Sequence, residues 1–332
     1  MRSFLAHAGA LAALLCLLGA PNLAAAPATL HSDHPLNGTL WDTRSGQAVD
    51  EIALFSEAAK ARWVLLGEKH DNAEHHRLQA RVVDALGRAG RRMAVVWEMA
   101  EPEQAAALKD ARLETVGELG KALDWEGRGW PAWADYQPIA EAALRHGLPM
   151  LPGKPSRSLV RSVSRGEALP DDLATRLDTA RPYPADVEAA LLAELAESHC
   201  GALPRAALAP MARVQRLWDA WMADSLRAAT APPLNADGAV LIAGGGHVRA
   251  DRAVPWHLPQ GTAGDTVTVA MVEVVDGRND VSNYPAFDPR RFDYVWFTAR
   301  VDDDDPCAAF PAQPAPAQPA SDRPAPDRPA AD

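Results

Sequence analysis

Cysteine and positive charge are both scarce in this sequence. It has 3 cysteines among 332 residues, with no CxxC pair and no Cys/His spacing typical of a zinc site. The 33 basic residues are outnumbered by 44 acidic ones, and the formal charge of -11 argues against nucleic-acid binding and against a broad basic face for anionic membranes. The glycines at 244–246 lack the further glycine, at Arg249, that a dinucleotide fingerprint requires, which disfavours nicotinamide cofactors.

The remaining composition is that of a globular protein with an extension at each end. A hydrophobic content of 48% suffices for a large core in one domain or two tightly joined ones. Residues 1–25 combine Met-Arg, an apolar run too short to span a bilayer comfortably, and small alanines, as secretory signal peptides do. Cys16 follows two leucines, which disfavours a lipid anchor. Residues 302–332 are acidic and then rich in Pro and Ala, which predicts a disordered tail after a domain over 30–301.

Two cysteines remain after signal-peptide removal, Cys200 and Cys307. In the oxidising compartment that the leader implies, an isolated pair is more often a disulfide than two free thiols; two buried thiols are the alternative. A disulfide would anchor the tail at Cys307. Closing a loop of about 100 residues would stabilise the fold by about 4 to 5 kcal/mol in the chain-entropy model.

A buried strand, a polar turn and a helix follow one another over residues 63–86. Four apolar residues end at Gly67, and Leu78, Val82 and Leu86 then recur at helical spacing. The turn between them contains two glutamates and three histidines within nine residues. A well-capped helix start without any chemistry is the simpler alternative.

Helical geometry separates the polar residues of this segment. Asn72 is the predicted N-cap of the helix. His75 lies within about 60° of the apolar stripe and is expected to face inward, whereas His76 is expected to face solvent. Glu68 and His70 follow the strand directly, where open α/β sheets place their ligands.

Two further buried strands end in the same way. Residues 93–97 lead to Glu98, and residues 240–243 lead through three glycines to His247. The glycines allow a close approach of the backbone to a ligand or a positive φ. Capping of the next helix is the alternative role for Glu98. The pattern predicts an α/β fold with a central parallel-rich, mixed sheet flanked by helices, and a helical lid or subdomain at about 156–230.

The segment 125–138 has an unusual aromatic content. It contains Trp125, Trp130, Trp133 and Tyr136 together with two glycines. Such a loop is too aromatic for an ordinary solvated connection, and we interpret it as the lining of a flat, apolar ligand site. A loop packed against the body of the protein is the alternative.

Several short motifs resemble the ChaN group of haem-binding uptake proteins in the Tiki superfamily, over about residues 36–310. They are Leu66-Gly67-Glu68-x-His70-Asp71-Asn72, Trp133 with Tyr136-x-Pro138, His199-Cys200-Gly201, Gln215-x-x-Trp218-Asp219-x-x-Met222-Ala223, Gly246-His247-Val248-x-x-Asp251-x-x-Val254-Pro255, and Asp305-Pro306-Cys307. The segment 151–154 departs from the family pattern, in which small residues and asparagine precede an arginine.

The resemblance implies an extracytoplasmic, periplasmic role in haem or iron acquisition, with haem and uptake-system components as partners. It also implies a homodimer with two stacked haems and a tyrosine as the axial ligand of iron. Tyr136 is the tyrosine in family-like sequence, and Tyr183 is the alternative. The further residues expected at the haem are Trp130 or Trp133 against the macrocycle, His75 or His247 at a propionate or the distal face, and Arg157 or Arg249 at the propionates.

The alternative function is a metal-dependent hydrolase that uses the same strand ends. His70, Glu98 and His247 would then hold a divalent metal, Zn, Mn or Fe, with Glu68 as the general base. Both functions require that the segments around His70, Glu98 and His247 converge on one edge of the sheet.

Overall fold

A computed structural model describes residues 29–179, 181–259, 264–305 and 307–308. The strands are β1 (Leu40–Asp42), β2 (Gln47–Val49), β3 (Trp63–Glu68), β4 (Met93–Trp97), β5 (Met150–Pro152), β6 (Gly238–Gly244), β7 (Thr266–Glu273) and β8 (Tyr294–Thr298). The helices are α1 (Glu51–Lys60), α2 (Ala73–Arg88), α3 (Ala105–Asp110), α4 (Val116–Ala122), α5 (Trp133–Arg145), α6 (Arg157–Ser164), α7 (Asp171–Arg176), α8 (Ala185–Ser198), α9 (Arg205–Ala229) and α10 (Val254–His257).

The strands form one sheet of 8 in the order β2-β1-β8-β7-β3-β6-β4-β5. All neighbours from β8 to β5 are parallel, and β1 is antiparallel to both β8 and β2. The predicted parallel-rich, mixed α/β sheet is therefore confirmed. Because the parallel strands run the same way, β3, β4 and β6 deliver the residues that follow them to one edge.

Strand β3 explains why the central strands read as continuous apolar runs. Its alternate residues enter two different cores, so neither face of the strand meets water. Val64 and Leu66 pack in the core with α1, α2 and α5. Trp63 and Leu65 pack in the other core, with α9 and α10.

The segment predicted to be helical over 156–230 contains α6 to α9. Two small apolar clusters join these helices: Val163 and Leu177 pack against Leu217 of α9, and Leu191 of α8 packs against Ala212. The inserted helices thus rest on α9, which itself covers the sheet. Within the described ranges, no helix is both long and apolar enough to cross a membrane.

Helix α5 begins earlier than the sequence suggests. Residues 133–138, assigned above to an aromatic loop, form its first turns, with Pro138 inside the helix. The proline has no N–H to donate, but Trp133 and Tyr136 are buried on the inner face. Burial of these two rings favours the helix over the aromatic loop predicted from the sequence.

The disulfide between Cys200 and Cys307 is present, with Cα atoms 5.6 Å apart. It joins the segment after α8 to the end of the described chain. The predicted signal peptide at 1–25, and the predicted tail beyond Ala308, lie outside the described residues.

His75 connects the start of α2 to the sheet. Asn72 caps this helix as predicted, accepting the N–H groups of Glu74 and His75. His75 faces inward as predicted, and its Nδ1 accepts the N–H of Lys69 at 2.9 Å. Its Nε2 must then carry the proton and donates to Thr298 Oγ1 at 2.8 Å. Burial lowers the pKa of His75 to about 3, so the ring stays neutral in the folded protein.

Removal of the disulfide is expected to destabilise the protein strongly. The bond spans 107 residues, and loss of its constraint on the unfolded chain should lower the free energy of unfolding by about 4 to 5 kcal/mol. Urea denaturation of the Cys200→Ser/Cys307→Ser variant measures this change. Dithiothreitol should weaken the wild type and leave the variant unaffected; an unchanged midpoint in the reduced wild type would contradict the prediction.

Stability should fall as the pH drops from about 6.5 toward 4.5. The unfolded chain takes up protons on histidines that stay neutral in the fold, namely His75 and also His257, whose pKa burial lowers to about 4. Each such histidine costs about 1.4 kcal/mol per pH unit in this range. Urea midpoints measured across this range should therefore slope less steeply in His75→Gln, and equally so in His257→Gln. Parallel slopes for wild type and His75→Gln would show that the prediction is wrong.

Candidate functional site

Three neighbouring strands bring the predicted polar residues together at one edge of the sheet. Glu68, the last residue of β3, is paired in register with Gly244, the last residue of β6. Glu98 follows β4 and donates its N–H to the carbonyl of Ile242. We call the site formed by Glu68, His70, Glu98, Tyr136 and His247 the crevice. The convergence on which both predicted functions depend is therefore found.

Glu68 is the centre of the hydrogen bonds in the crevice. Its Oε1 accepts the hydroxyl of Tyr136 at 2.6 Å and lies 2.8 Å from Nδ1 of His70. Its Oε2 faces Nε2 of His76 at 3.6 Å, beyond hydrogen-bond distance. The carboxylate thus ties the turn after β3 to α2 and α5.

Glu98 lies between the two histidines of the crevice. Its Oε2 accepts the N–H of Gly244 at 2.6 Å. Its Oε1 lies 3.9 Å from Nε2 of His70 and 3.6 Å from Nε2 of His247. The absence of a side chain at Gly244 permits His70 to lie this close to Glu98, because a Cβ at Gly244 would lie only 3.0 Å from Nε2 of His70. The first glycine of the run at 244–246 therefore serves the close approach of His70 and Glu98 to the backbone.

His247 has a buried carboxylate partner that comes from α9. Asp219 Oδ1 lies 2.6 Å from Nδ1 of His247, and the amide nitrogen of Gln215 lies 3.3 Å from the same atom. Trp218 stacks on the imidazole with ring centroids 5.8 Å apart. His70 and His247 thus share one arrangement, in which a carboxylate holds Nδ1 and Nε2 is directed toward Glu98.

The charges of the crevice follow from burial and from these contacts. Burial lowers the pKa of His70, but its hydrogen bond to Glu68 and the charge of Glu98 outweigh burial and raise it to about 9. Burial also lowers the pKa of His247, but the charges of Glu98 and Asp219 outweigh burial and raise it. Burial raises the pKa of Glu68, yet its hydrogen bond to His70 and the adjacent imidazole of His76 hold that pKa well below its usual range. The crevice therefore favours the charged forms of His70, His247 and Glu68.

Tyr136 is held in its neutral form. Its side chain is fully buried, and burial together with the charge of Glu68 raises the pKa of the hydroxyl far above its ordinary value. The ring stacks on His76 at a centroid distance of 3.7 Å. The residue packs α5 against α2 and supplies Glu68 with a donor.

Two tryptophans and a lysine lie at the mouth of the crevice. Trp130 meets His70 edge-on at a centroid distance of 5.1 Å. Lys154 follows β5, and its Nζ lies 5.0 Å from the ring centroid of Trp130 and 4.6 Å from that of Trp218. These three side chains are only partly buried and form the rim that a ligand would meet first.

Several residues predicted for the haem site do not face the crevice. Both nitrogens of His75 are bonded inside the fold, and Trp133 packs in the core with its Nε1 on the carbonyl of Val116. Arg249 pairs with Glu194 and Asp251. The rest are Arg157, which pairs with Glu101 at 3.4 Å, and the alternative ligand Tyr183, whose hydroxyl accepts the N–H of Ala253.

The prediction that His76 faces solvent is wrong. Its side chain is fully buried, because α5 covers the face of α2 that a simple helical wheel assigns to water. Sequence reasoning also missed the roles of Asp219 and Lys154. The spacing of Gln215 and Asp219, two polar residues one turn apart on the apolar helix α9, was the available signal; Lys154 had none beyond its departure from the family pattern.

The metal site of the hydrolase alternative gains no support. His70, Glu98 and His247 do lie side by side, but no group of three or more His, Cys, Asp or Glu side chains within the described ranges is arranged to hold a metal ion. The two histidines can instead each offer a single nitrogen, oriented by its carboxylate partner.

An apolar groove adjoins the crevice. It has a volume of about 380 Å³ and runs between α6, α8 and α9. Trp218 and Gln215 line this groove and also contact His247, so these two side chains lie between the groove and the crevice. A larger cavity of about 990 Å³, lined by Tyr183, Trp256 and Asp293, includes no other predicted site residue.

Comparison with known proteins identifies the family. Residues 54–258 match the profile of the family described as haem-binding uptake, Tiki superfamily, ChaN. The structure of ChaN of Campylobacter jejuni, described with cofacial haem binding, is similar with a TM-score of 0.59 and 22% identity, over 77% of this chain and 95% of that one. This similarity shows the shared fold.

Two other comparisons add no argument. The type III effector HopBA1 is similar with a TM-score of only 0.40 and 16% identity, over 74% of this chain and 91% of that one. None of the curated proteins that were compared matched the sequence.

The profile match extends over more than half of the chain and includes β3, β4, β6 and the crevice between them. The chain belongs to the ChaN family of haem-binding uptake proteins in the Tiki superfamily.

Proposed function

We propose that this protein binds haem at the crevice and serves haem or iron acquisition outside the cytoplasm. The observation that carries the proposal is the geometry of His70. Its Nδ1 is held by Glu68 at 2.8 Å, and its side chain is 35% exposed beside Trp130. A histidine oriented by a carboxylate in this way is the usual arrangement of a metal-ligating imidazole.

We propose His70 as the ligand of the haem iron in place of Tyr136. Either side chain must lose a proton before it can bind iron, and the two differ in access: the hydroxyl of Tyr136 is fully buried and donates to Glu68, whereas the side chain of His70 is 35% exposed. Nε2 of His70 already lies on the crevice side. Iron in a bound haem would supply the Lewis acid, and His70, Glu68 and Tyr136 would hold the ligand in position.

The macrocycle would be accommodated by the apolar groove. A flat porphyrin needs an extended apolar surface next to the ligand residue. The groove provides this surface from Met211, Val214 and Trp218, and Trp130 provides a second aromatic ring that contacts the same ammonium group of Lys154. Trp130 is therefore the residue of the former aromatic loop that we assign to haem contact.

We further propose that the protein is exported from the cytoplasm and that two chains form a homodimer. The disulfide supports an oxidising compartment, in agreement with the leader expected at 1–25. ChaN of Campylobacter jejuni binds haem cofacially, and by analogy we propose a haem-loaded homodimer that exchanges haem with components of an uptake system. Cell fractionation of the full-length protein tests the periplasmic location.

Hemin titration tests the function and the ligand together. The mature protein should give a saturable Soret shift, and His70→Ala should weaken binding at least about tenfold because the iron loses its ligand. Tyr136→Phe keeps the ring packed on His76 and should retain binding with an unchanged ligand spectrum. Resonance Raman or EPR spectra of each complex identify the ligand class.

The control is His31→Ala, which removes a partly exposed histidine that pairs with Asp303. This variant should bind hemin as the wild type does. Absence of saturable binding in the wild type would overturn the proposed function. An iron-tyrosinate signature that vanishes in Tyr136→Phe and persists in His70→Ala would overturn the histidine assignment and restore the tyrosine expected from the sequence.

Haem loading should convert monomers to dimers. Stacked macrocycles bury apolar surface only when two chains meet, so the association depends on ligand. Sedimentation velocity with and without hemin, combined with haem-to-protein absorbance ratios, should show a dimer with one haem per chain. A haem-saturated monomer would contradict this part of the proposal.

A further inference from the structure

We propose that Lys154 is the residue that selects for carboxylate groups on the ligand, by pairing with a propionate of the haem at the mouth of the crevice. The inference rests on the proposed function and assigns to that site a side chain that the family pattern does not supply.

Lys154 is held in place by its backbone and by two aromatic rings. It follows β5, and its N–H donates to the carbonyl of Ala100 at 2.9 Å, which fixes the residue at the strand ends. Its ammonium group contacts the rings of Trp130 and Trp218 at once. Because Trp130 also meets His70 and Trp218 also meets His247, the ammonium lies between the two histidine arms of the crevice.

The ammonium has no carboxylate partner in the part of the chain that the structure describes. No Asp or Glu oxygen of the described residues lies within the 4.0 Å that defines an ion pair. Burial lowers the pKa of Lys154, and the nearby charges of Glu101 and Glu98 oppose that effect. A partly desolvated cation that contacts only aromatic faces can gain a full charge-assisted hydrogen bond from an anionic ligand.

The other cations near the mouth are already engaged. Arg128 and Arg157, the cations whose charges act on Lys154, both pair with Glu101. An anionic ligand would have to break an existing ion pair to bind either of them. Lys154 therefore offers the least costly cationic contact at the rim.

The charge of the crevice makes such a contact necessary. Glu68, Glu98 and Asp219 are buried within it, and each histidine is matched to one of these carboxylates. A haem with two ionised propionates would meet repulsion there unless its carboxylates were held at the rim. Lys154 lies at that rim, between the two rings that would flank the macrocycle.

The test compares hemin with hemin dimethyl ester, in which both propionates are capped. Dissociation constants for both ligands are measured by Soret titration on the wild type, Lys154→Met, Lys154→Arg and the control Lys109→Met, which alters an exposed lysine on α3. The wild type should bind hemin about tenfold more tightly than the ester. Lys154→Met should lose this preference with little change for the ester, and Lys154→Arg and Lys109→Met should keep it.

Because the preference is a ratio within each variant, a partly unfolded sample cannot imitate the result. Equal weakening of hemin and ester in Lys154→Met would overturn the proposal and show that Lys154 only shapes the site. A wild type that binds both ligands equally well would also overturn it while the proposed haem binding stands. A wild type that binds neither would overturn both.

Discussion

One buried carboxylate, Glu68, holds this site together. A carboxylate that loses water costs several kcal/mol unless other groups compensate it, and Glu68 obtains compensation from the hydroxyl of Tyr136 and the imidazole of His70. Meeting that requirement positions the turn after β3, and it draws α5 onto α2 through the ring of Tyr136 on His76. The polar residues that follow β3 thus form a single electrostatic unit, in which each side chain depends on the others. Oε2 of Glu68 and both nitrogens of His76 have no hydrogen-bond partner among the described residues, so these buried atoms remain available for further hydrogen bonds.

The crevice has an approximate internal symmetry that arises from the parallel sheet. His70 comes from the strand end of β3 and His247 from that of β6, and each has its own carboxylate on Nδ1. Glu98, from β4, lies between their Nε2 atoms. The two arms differ in exposure: His247 is buried beneath Trp218, whereas His70 is open at the rim. This difference is what gives the two histidines separate roles in the proposed haem site, with one as the ligand and the other as part of the wall.

The aromatic residues divide by the same criterion of exposure. Trp125 and Trp133 pack on Trp97 in the core and stabilise the fold. Trp130 alone among the tryptophans of the segment 125–138 reaches the rim, where it shares the ammonium of Lys154 with Trp218. Tyr136 belongs with the buried group, and its pKa is raised by burial together with the carboxylate of Glu68, which also orients His70. In the proposed haem site, Tyr136 therefore acts through Glu68 and not on the iron.

The sequence by itself determined the sheet, the cap at Asn72, the cysteine pairing and the meeting of Glu68, His70, Glu98 and His247. These features depend on local periodicity, on apolar runs that end in glycine or charge, and on the rule that parallel strands share one edge. Only the tertiary structure decided that His76 is buried and that Asp219 and Lys154 complete the site. A helical wheel allows for one packing surface, whereas α2 lies between the sheet and α5, and the contacts of Asp219 and Lys154 join segments far apart in the chain. Such contacts depend on how the helices pack over the sheet, which no local pattern of residues contains.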